Sequence, residues 1–303
     1  MASRTNPFGA AIRLIRPKQW IKNAFVFAAL IFAKELFQTT PFLTALRAFG
    51  VFCLTASSVY IINDILDVEA DRAHPKKRFR PIAAHIITVP QALILLGIIV
   101  CFNVLLAWPL PDAFKAIVVT YFVINLAYSF KLKEVILLDV FIIAAGFMLR
   151  VLGGAYAIGV VVSSWLVLCT MFISLFLGFA KRRGELVAVQ TAGAQSERKV
   201  LQQYRLEVID QMLTITAAGT VISYALYTVA PRTLEIFGTD KLIYTTVFVI
   251  YGVFRYLHLV HATDSTENPT AVVASDIPII VVAGLWIATC VVLIYFRGSI
   301  PGL

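Results

Sequence analysis

The chain has 303 residues, of which 60% are hydrophobic and only 14% charged; 26 Lys and Arg against 17 Asp and Glu leave a net charge of +9, and the mean hydropathy is +0.86. Soluble domains carry about 25% charged residues, so this composition excludes an ordinary water-soluble enzyme and predicts an all-α integral membrane protein. The excess positive charge reads as cationic loops that set topology, and no nucleic acid is expected as a partner.

In chain order, residues Ser3 to Lys22 are polar and basic and lack a small-residue cleavage site behind an apolar core, so the first hydrophobic stretch is expected to stay in the membrane. Nine apolar segments follow: Trp20–Phe37, Thr44–Leu66, Ile86–Trp108, Ala113–Phe130, Val135–Ile158, Ser164–Ala180, Val208–Ala230, Leu242–His261 and Ile277–Phe296. Each is near the ~20 residues that a helix needs to cross the hydrocarbon core. Lipid leaves backbone groups no water to bond, so helices are the expected spans. The expected architecture is a single transmembrane domain over 1–303 with nine helices. Cys53, Cys101, Cys169 and Cys290 all sit inside apolar segments without CxxC or Cys/His spacing, which predicts buried small hydrophobes and neither disulfide nor zinc. Gly153-Gly154 predicts close helix packing.

Threading nine spans in order puts most of the 26 Lys and Arg on one side. That side holds the N-terminus, the second-to-third, fourth-to-fifth and sixth-to-seventh connections. The positive-inside rule then predicts a cytoplasmic N-terminus, and a multi-pass chain in the cell inner (plasma) membrane is the expected localisation. The catalytic loops, at about 63–85, 181–207 and 261–276, are expected to face the cytoplasm.

Candidate chemistry concentrates in NDILDVEADRAHPKKRFRP, residues 63 to 81. Asp64, Asp67 and Asp71, at spacings of three and four, share one helix face. They are the predicted catalytic and metal-ligating residues, with Asn63 beside them. Hard oxygen ligands of this kind suit Mg²⁺, which also binds substrate phosphates. Lys76, Arg78 and Arg80, just downstream, are placed to hold phosphates. At the sixth segment's end, Lys181, Arg182 and Glu185 form a second polar group, with Tyr204 across the connection, and the cations there match phosphate oxygens. Lys18 and Asn23, in RPKQWIKN, are candidate substrate contacts at the start of the first helix. Tyr128 and Lys131 join the candidate substrate-binding set. Arg255 and Arg150, within apolar segments, are expected to face cavities, and Glu267, Asn268 and Asp276 are candidate polar contacts in the last long connection.

These motifs resemble the UbiA superfamily of intramembrane transferases, whose NDxxDxxxD motif stands intact as Asn63, Asp64, Asp67 and Asp71. The resemblance implies a UbiA-like bundle. The region corresponding to the superfamily's second Asp-rich motif instead reads KRRGEL, with YRLEVID farther on; with RPKQWIKN and RYLHLVH…NPT…D, it is similar to the decaprenyl-phosphate phosphoribosyltransferase branch. The resemblance implies Mg²⁺-dependent transfer of 5-phosphoribose from phosphoribosyl diphosphate (PRPP) to decaprenyl or another polyprenyl phosphate, with release of diphosphate, for arabinogalactan and cell wall biogenesis. Expected partners are PRPP, the polyprenyl phosphate lipid and the lipid bilayer, with room for a homo-oligomer. A prenyltransferase acting on prenyl diphosphate, and a non-enzymatic polyprenyl-lipid or ion transporter, are the alternatives.

Overall fold

A computed structural model describes residues 7–74, 77–192, 199–262 and 275–295. Among the described residues the chain is wholly helical, with no strand. The α-helices are α1 (Pro7–Ile15), α2 (Ala28–Phe32), α3 (Thr39–Leu66), α4 (Val68–Ala73), α5 (Val89–Ala107), α6 (Asp112–Phe130), α7 (Leu138–Ile158), α8 (Ser164–Ala192), α9 (Leu206–Val229), α10 (Pro231–Phe237), α11 (Thr246–Ala262) and α12 (Ile277–Tyr295). Of the described residues, eight helical stretches are long and apolar enough to cross a membrane. They match the second to ninth predicted segments, the sixth running on well past its predicted end, and the protein is a multi-pass membrane protein. The first predicted segment differs. It is a 3₁₀ helix, Pro17–Phe27, running into the five-residue α2, so it is not one of the eight. Pro17 sets the first turn, and Arg16 before it is held in the left-handed region at φ 56°.

The chain divides into two compact units, Met1–Phe130 with Leu149–Val161, and Lys131–Met148 with Val162–Leu303. In the first, α3 is the spine. Of its apolar window, 61% is buried, against 11% for α5 and for α6, whose Ile94, Ile98, Leu105 and Val119 stay exposed. A helix apolar on every face belongs inside a bundle, and exposed apolar faces belong against lipid. Val26, Phe114 and Tyr121 pack against Phe52 of α3, with the Phe52 and Tyr121 rings edge to face at 5.4 Å. The close packing expected of Gly153-Gly154 is present: Gly153 lies against Phe52, and a Cβ on Gly154 would collide with the Val26 carbonyl. Backbone cannot retreat as a side chain can. Gly154→Ala should therefore cost about 1–3 kcal/mol of stability, read as a lower thermal midpoint of the solubilised protein; an unchanged midpoint would contradict this packing.

In the second unit, α8, α9 and α11 pack with the first half of α7 around Phe176, Leu213, Tyr256 and Val260. Gly219 admits the Phe172 ring. α10 ends where Gly238 turns left-handed at φ 67°, a conformation that glycine adopts without steric cost. α8 differs from expectation. KRRGE was expected at its end, yet the helix continues to Ala192, about 18 Å beyond Ala180 at 1.5 Å per residue. Arg182 and Lys181 pair with Glu185 one turn on, and Leu186 is buried, so the polar stretch keeps both helical bonding and an apolar face.

Candidate active site

α3 ends inside the Asp-rich motif. A turn at Asp67 separates it from α4, but Asp67 N–H donates to Asn63 O (2.9 Å) and Asp71 N–H to Asp67 O (2.8 Å). The helical register thus carries through, and the aspartates keep their common side. Asp64 and Asp71 are buried, at 2% and 3% exposure. Arg80 Nη1 lies between them, 3.1 Å from Asp64 Oδ1 and 2.7 Å from Asp71 Oδ2. Arg16 Nη2 donates to the same Asp64 Oδ1 at 2.5 Å, with its guanidinium over the Tyr60 ring at 4.8 Å. A left-handed non-glycine residue costs about 1–3 kcal/mol and persists only where its surroundings hold it. At Arg16 the ion pair and the ring do so.

Among the described residues Asn63 Oδ1 is buried without a hydrogen-bond partner. Asp67 is half-buried, and among the described residues no side chain pairs with its carboxylate. Among those residues no three His, Cys, Asp or Glu side chains are grouped closely enough to ligate a metal alone. The donor set nevertheless suits Mg²⁺, which is commonly held by one or two carboxylates with water and substrate phosphate completing the shell. Two buried carboxylates already converge on one cationic nitrogen, and the residue before Asp64 in the chain, Asn63, carries an unsatisfied amide oxygen.

The remaining predicted residues fall in several places. Lys18 is exposed, and Arg78 is exposed with its guanidinium over Phe79 at 4.9 Å. Asn23 is buried, accepts from Arg150 Nε (2.7 Å) and donates to Cys53 Sγ (3.2 Å). Arg150 also donates to Tyr121 Oη at 2.7 Å. The structure thus makes Asn23 and Arg150 an internal polar pair. Tyr128 is half-buried on α6. Lys76, Glu267 and Asn268 lie outside the described residues.

In the second unit Lys131 is exposed, and Lys181 Nζ is 3.8 Å from Glu185 Oε1. Arg182 is fully buried. Its Nε donates to Asp139 Oδ2 and its Nη1 to Glu185 Oε2, both at 2.5 Å. Tyr204 Oη donates to Asp139 Oδ1 (2.7 Å) and accepts from the N–H of Leu137 (2.9 Å), a residue held at φ 66°. Burial, reinforced by the bond to Asp139, raises the Tyr204 hydroxyl well above the ordinary tyrosine range, so it stays a donor. Arg255 pairs with Asp276 at 2.9 Å, and that hydrogen bond holds Asp276 below the usual carboxylate range.

Two residues escaped sequence reasoning. Asp139 opens a span and looks like an ordinary helix N-terminal acid. Arg16 looks like a topology anchor, although its place before Pro17 was a signal of unusual backbone.

Residues 23–277 match the UbiA prenyltransferase family. The decaprenyl-phosphate phosphoribosyltransferase of Mycolicibacterium smegmatis is 38% identical over 73% of this chain and 71% of its own length. The enzyme of that name from Corynebacterium glutamicum is 33% identical over 94% of this chain and 86% of its length. A UbiA homolog from Archaeoglobus fulgidus, solved bound to GPP and Mg²⁺, shares the fold with a TM-score of 0.70 and 20% identity, covering 94% of this chain and 99% of that one. These relationships bear out the resemblance read from the Asp-rich and RPKQWIKN motifs: the chain belongs to the UbiA prenyltransferase family and is related by sequence to its decaprenyl-phosphate phosphoribosyltransferases.

Proposed function

We propose that the protein transfers 5-phosphoribose from PRPP to a polyprenyl phosphate, decaprenyl phosphate by relationship, and releases diphosphate. The observation that carries this reading is the convergence of Asp64 and Asp71 on one cationic nitrogen, with the residue before Asp64, Asn63, carrying an amide oxygen unpartnered among the described residues, in a chain whose sequence relatives bear that enzyme name.

Asp64, Asp67 and Asp71, with Asn63 Oδ1, would hold Mg²⁺. The ion would supply charge neutralisation for the departing diphosphate. Arg16 and Arg80 balance the carboxylates, and their guanidinium forks suit phosphate oxygens when the donor arrives. The bond from the ribose anomeric carbon to the diphosphate oxygen breaks, and a bond from that carbon to a lipid phosphate oxygen forms on the opposite face. The lipid phosphate is already anionic, so no general base is needed. The chain's contribution is orientation and charge placement. Lys18 and Arg78, exposed in the same unit, are proposed for the 5-phosphate; Lys131 and Lys181 are kept as anion contacts of the second unit. Asn23, Arg182 and Tyr204 act through the side chains that they hold.

The proposed topology has nine crossings, the N-terminus in the cytoplasm, and the Asp-rich motif at the cytoplasmic face of the inner membrane. For the first crossing, eleven 3₁₀ residues at about 2.0 Å each and five α residues at 1.5 Å reach about 30 Å. That equals the hydrocarbon thickness, so a tightly wound short segment suffices where an α-helix of the same length would fall short. The side chosen rests on the Lys and Arg bias.

A prenyl diphosphate donor is the second reading, favoured by the fold shared with the GPP-bound homolog. Donor competition in purified protein with polyprenyl phosphate separates the two. Labelled PRPP should yield lipid-linked phosphoribose, lost on thorough chelation and restored by Mg²⁺, with unlabelled prenyl diphosphate competing poorly. Prenyl release without use of PRPP would replace the first reading by the second.

A further inference from the structure

α3 carries a polar stripe that leads up to its aspartates. Cys53, Ser57, Tyr60 and Asp64, at spacings of four, three and four, share one face of the helix. Three of the four are committed within the first unit. Cys53 Sγ accepts from Asn23 Nδ2 at 3.2 Å. Ser57 Oγ accepts from Trp20 Nε1 at 3.1 Å and donates to Ile15 O at 2.8 Å. Asp64 accepts from Arg16 and Arg80. Tyr60 differs. Its ring lies under the Arg16 guanidinium at 4.8 Å, yet among the described residues its hydroxyl has no hydrogen-bond partner. Unlike Asn63 Oδ1 it is not closed off, because the half-buried side chain keeps accessible surface at the oxygen. A phenylalanine would hold Arg16 as well, since a cation–π contact uses the ring face alone. A hydroxyl kept inside a membrane protein is unfavourable unless water or a ligand completes its bonding.

The surrounding charge favours an anion as that ligand. The charged groups that reach the Tyr60 side chain are two guanidinium groups, Arg16 and Arg150. Arg150, 7% exposed, donates to Asn23 Oδ1 and to Tyr121 Oη, each at 2.7 Å, with its guanidinium over the Tyr121 ring at 4.7 Å. A hydroxyl donor in the field of two cations, away from bulk water, suits a phosphate oxygen. Depth favours one phosphate over another. Tyr60 precedes Asp64 by four residues, so it lies about 6 Å further into the apolar part of α3 at 1.5 Å per residue. With the donor's diphosphate at the aspartates, the entering oxygen starts about 3–3.5 Å from the anomeric carbon on its far side. That position is one helical turn toward the lipid, the side from which a prenyl tail approaches.

We propose that Tyr60 Oη donates a hydrogen bond to the phosphate of the polyprenyl phosphate acceptor and selects lipid phosphate over the corresponding lipid alcohol. This rests on the transfer reaction proposed above. The bond goes to an oxygen that does not attack, so Tyr60 orients the phosphate and takes no proton.

The test uses purified full-length protein with farnesyl phosphate as a short lipid phosphate and farnesol as its uncharged counterpart. Binding is read first, without donor or Mg²⁺. The parent should bind farnesyl phosphate more tightly than farnesol. Tyr60→Phe should weaken farnesyl phosphate about tenfold, the lower end of a hydrogen bond to a charged group, and leave farnesol unchanged. The thermal midpoint should hold, because the ring under Arg16 is retained. Turnover of labelled PRPP is read second. The variant should raise KM for the lipid phosphate about tenfold and keep KM for PRPP within about twofold, whereas a merely structural role would move both constants or the midpoint. Equal binding of farnesyl phosphate by parent and variant, or equal binding of farnesyl phosphate and farnesol by the parent, overturns the proposal. A rise confined to KM for PRPP assigns the hydroxyl to the donor and overturns it too. A parent that binds farnesyl phosphate through Tyr60 but does not use PRPP would remove the donor and keep the phosphate contact, so the two failures are told apart.

Discussion

Asp64→Ala is expected to lower transfer by about 10³-fold, the scale seen when a preorganised charge at a reacting centre is removed, while the chain still folds and inserts. Both halves follow from exposure. The substitution removes a carboxylate proposed to hold Mg²⁺ and leaves Arg16 and Arg80 without one partner. Those arginines are 27% and 28% exposed, so water takes the lost acceptor's place. Arg80 also keeps Asp71 at 2.7 Å. The variant should therefore match the parent in thermal midpoint and differ in rate. Transfer within a few-fold of the parent, in protein shown to be folded, would remove Asp64 from the metal role and with it the proposed chemistry.

Asp139→Ala is expected to do the reverse and act first on stability, by about 3–5 kcal/mol. Arg182 is 1% exposed and Asp139 is fully buried. Removing one member leaves a buried guanidinium short of a carboxylate, and breaking a buried pair carries a penalty of this size. The same change strips the acceptor from Tyr204, whose hydroxyl holds the strained Leu137 N–H at the start of α7. Asp139→Asn keeps the shape and one acceptor, so it should lose less. Thermal midpoints of both variants in detergent check the order. Equal and small shifts would mean that the network contributes specificity without stability.

The contrast explains why one cluster was legible and the other was not. The aspartates announce themselves through spacing, because Asp64, Asp67 and Asp71 recur at three and four residues on one face at the end of an apolar helix. Arg182 and Glu185 were legible as polar residues, but their role was not. A Lys/Arg-rich helix end normally anchors a span at the interface, and nothing local says that the helix continues to Ala192 with Arg182 turned inward. The winding of the first segment, a 3₁₀ helix followed by a short α-helix, is hidden from the sequence for a related reason. Hydropathy reports burial in lipid, not winding, and a 3₁₀ stretch has the same composition as an α-helix of equal length.

Sequence alone determined the solvent, the helical spans and the Asp-rich motif, because these depend on composition and on neighbours within one or two turns. Only the tertiary structure decided which charge meets which. Arg16 reaches Asp64 across 48 residues, Arg182 reaches Asp139 across 43, and Arg150 reaches Asn23 across 127. In a low-dielectric interior every buried charge must find an opposite or a hydrogen-bond partner. Which partner it finds is set by how the helices pack, and periodicity along the chain carries no record of that.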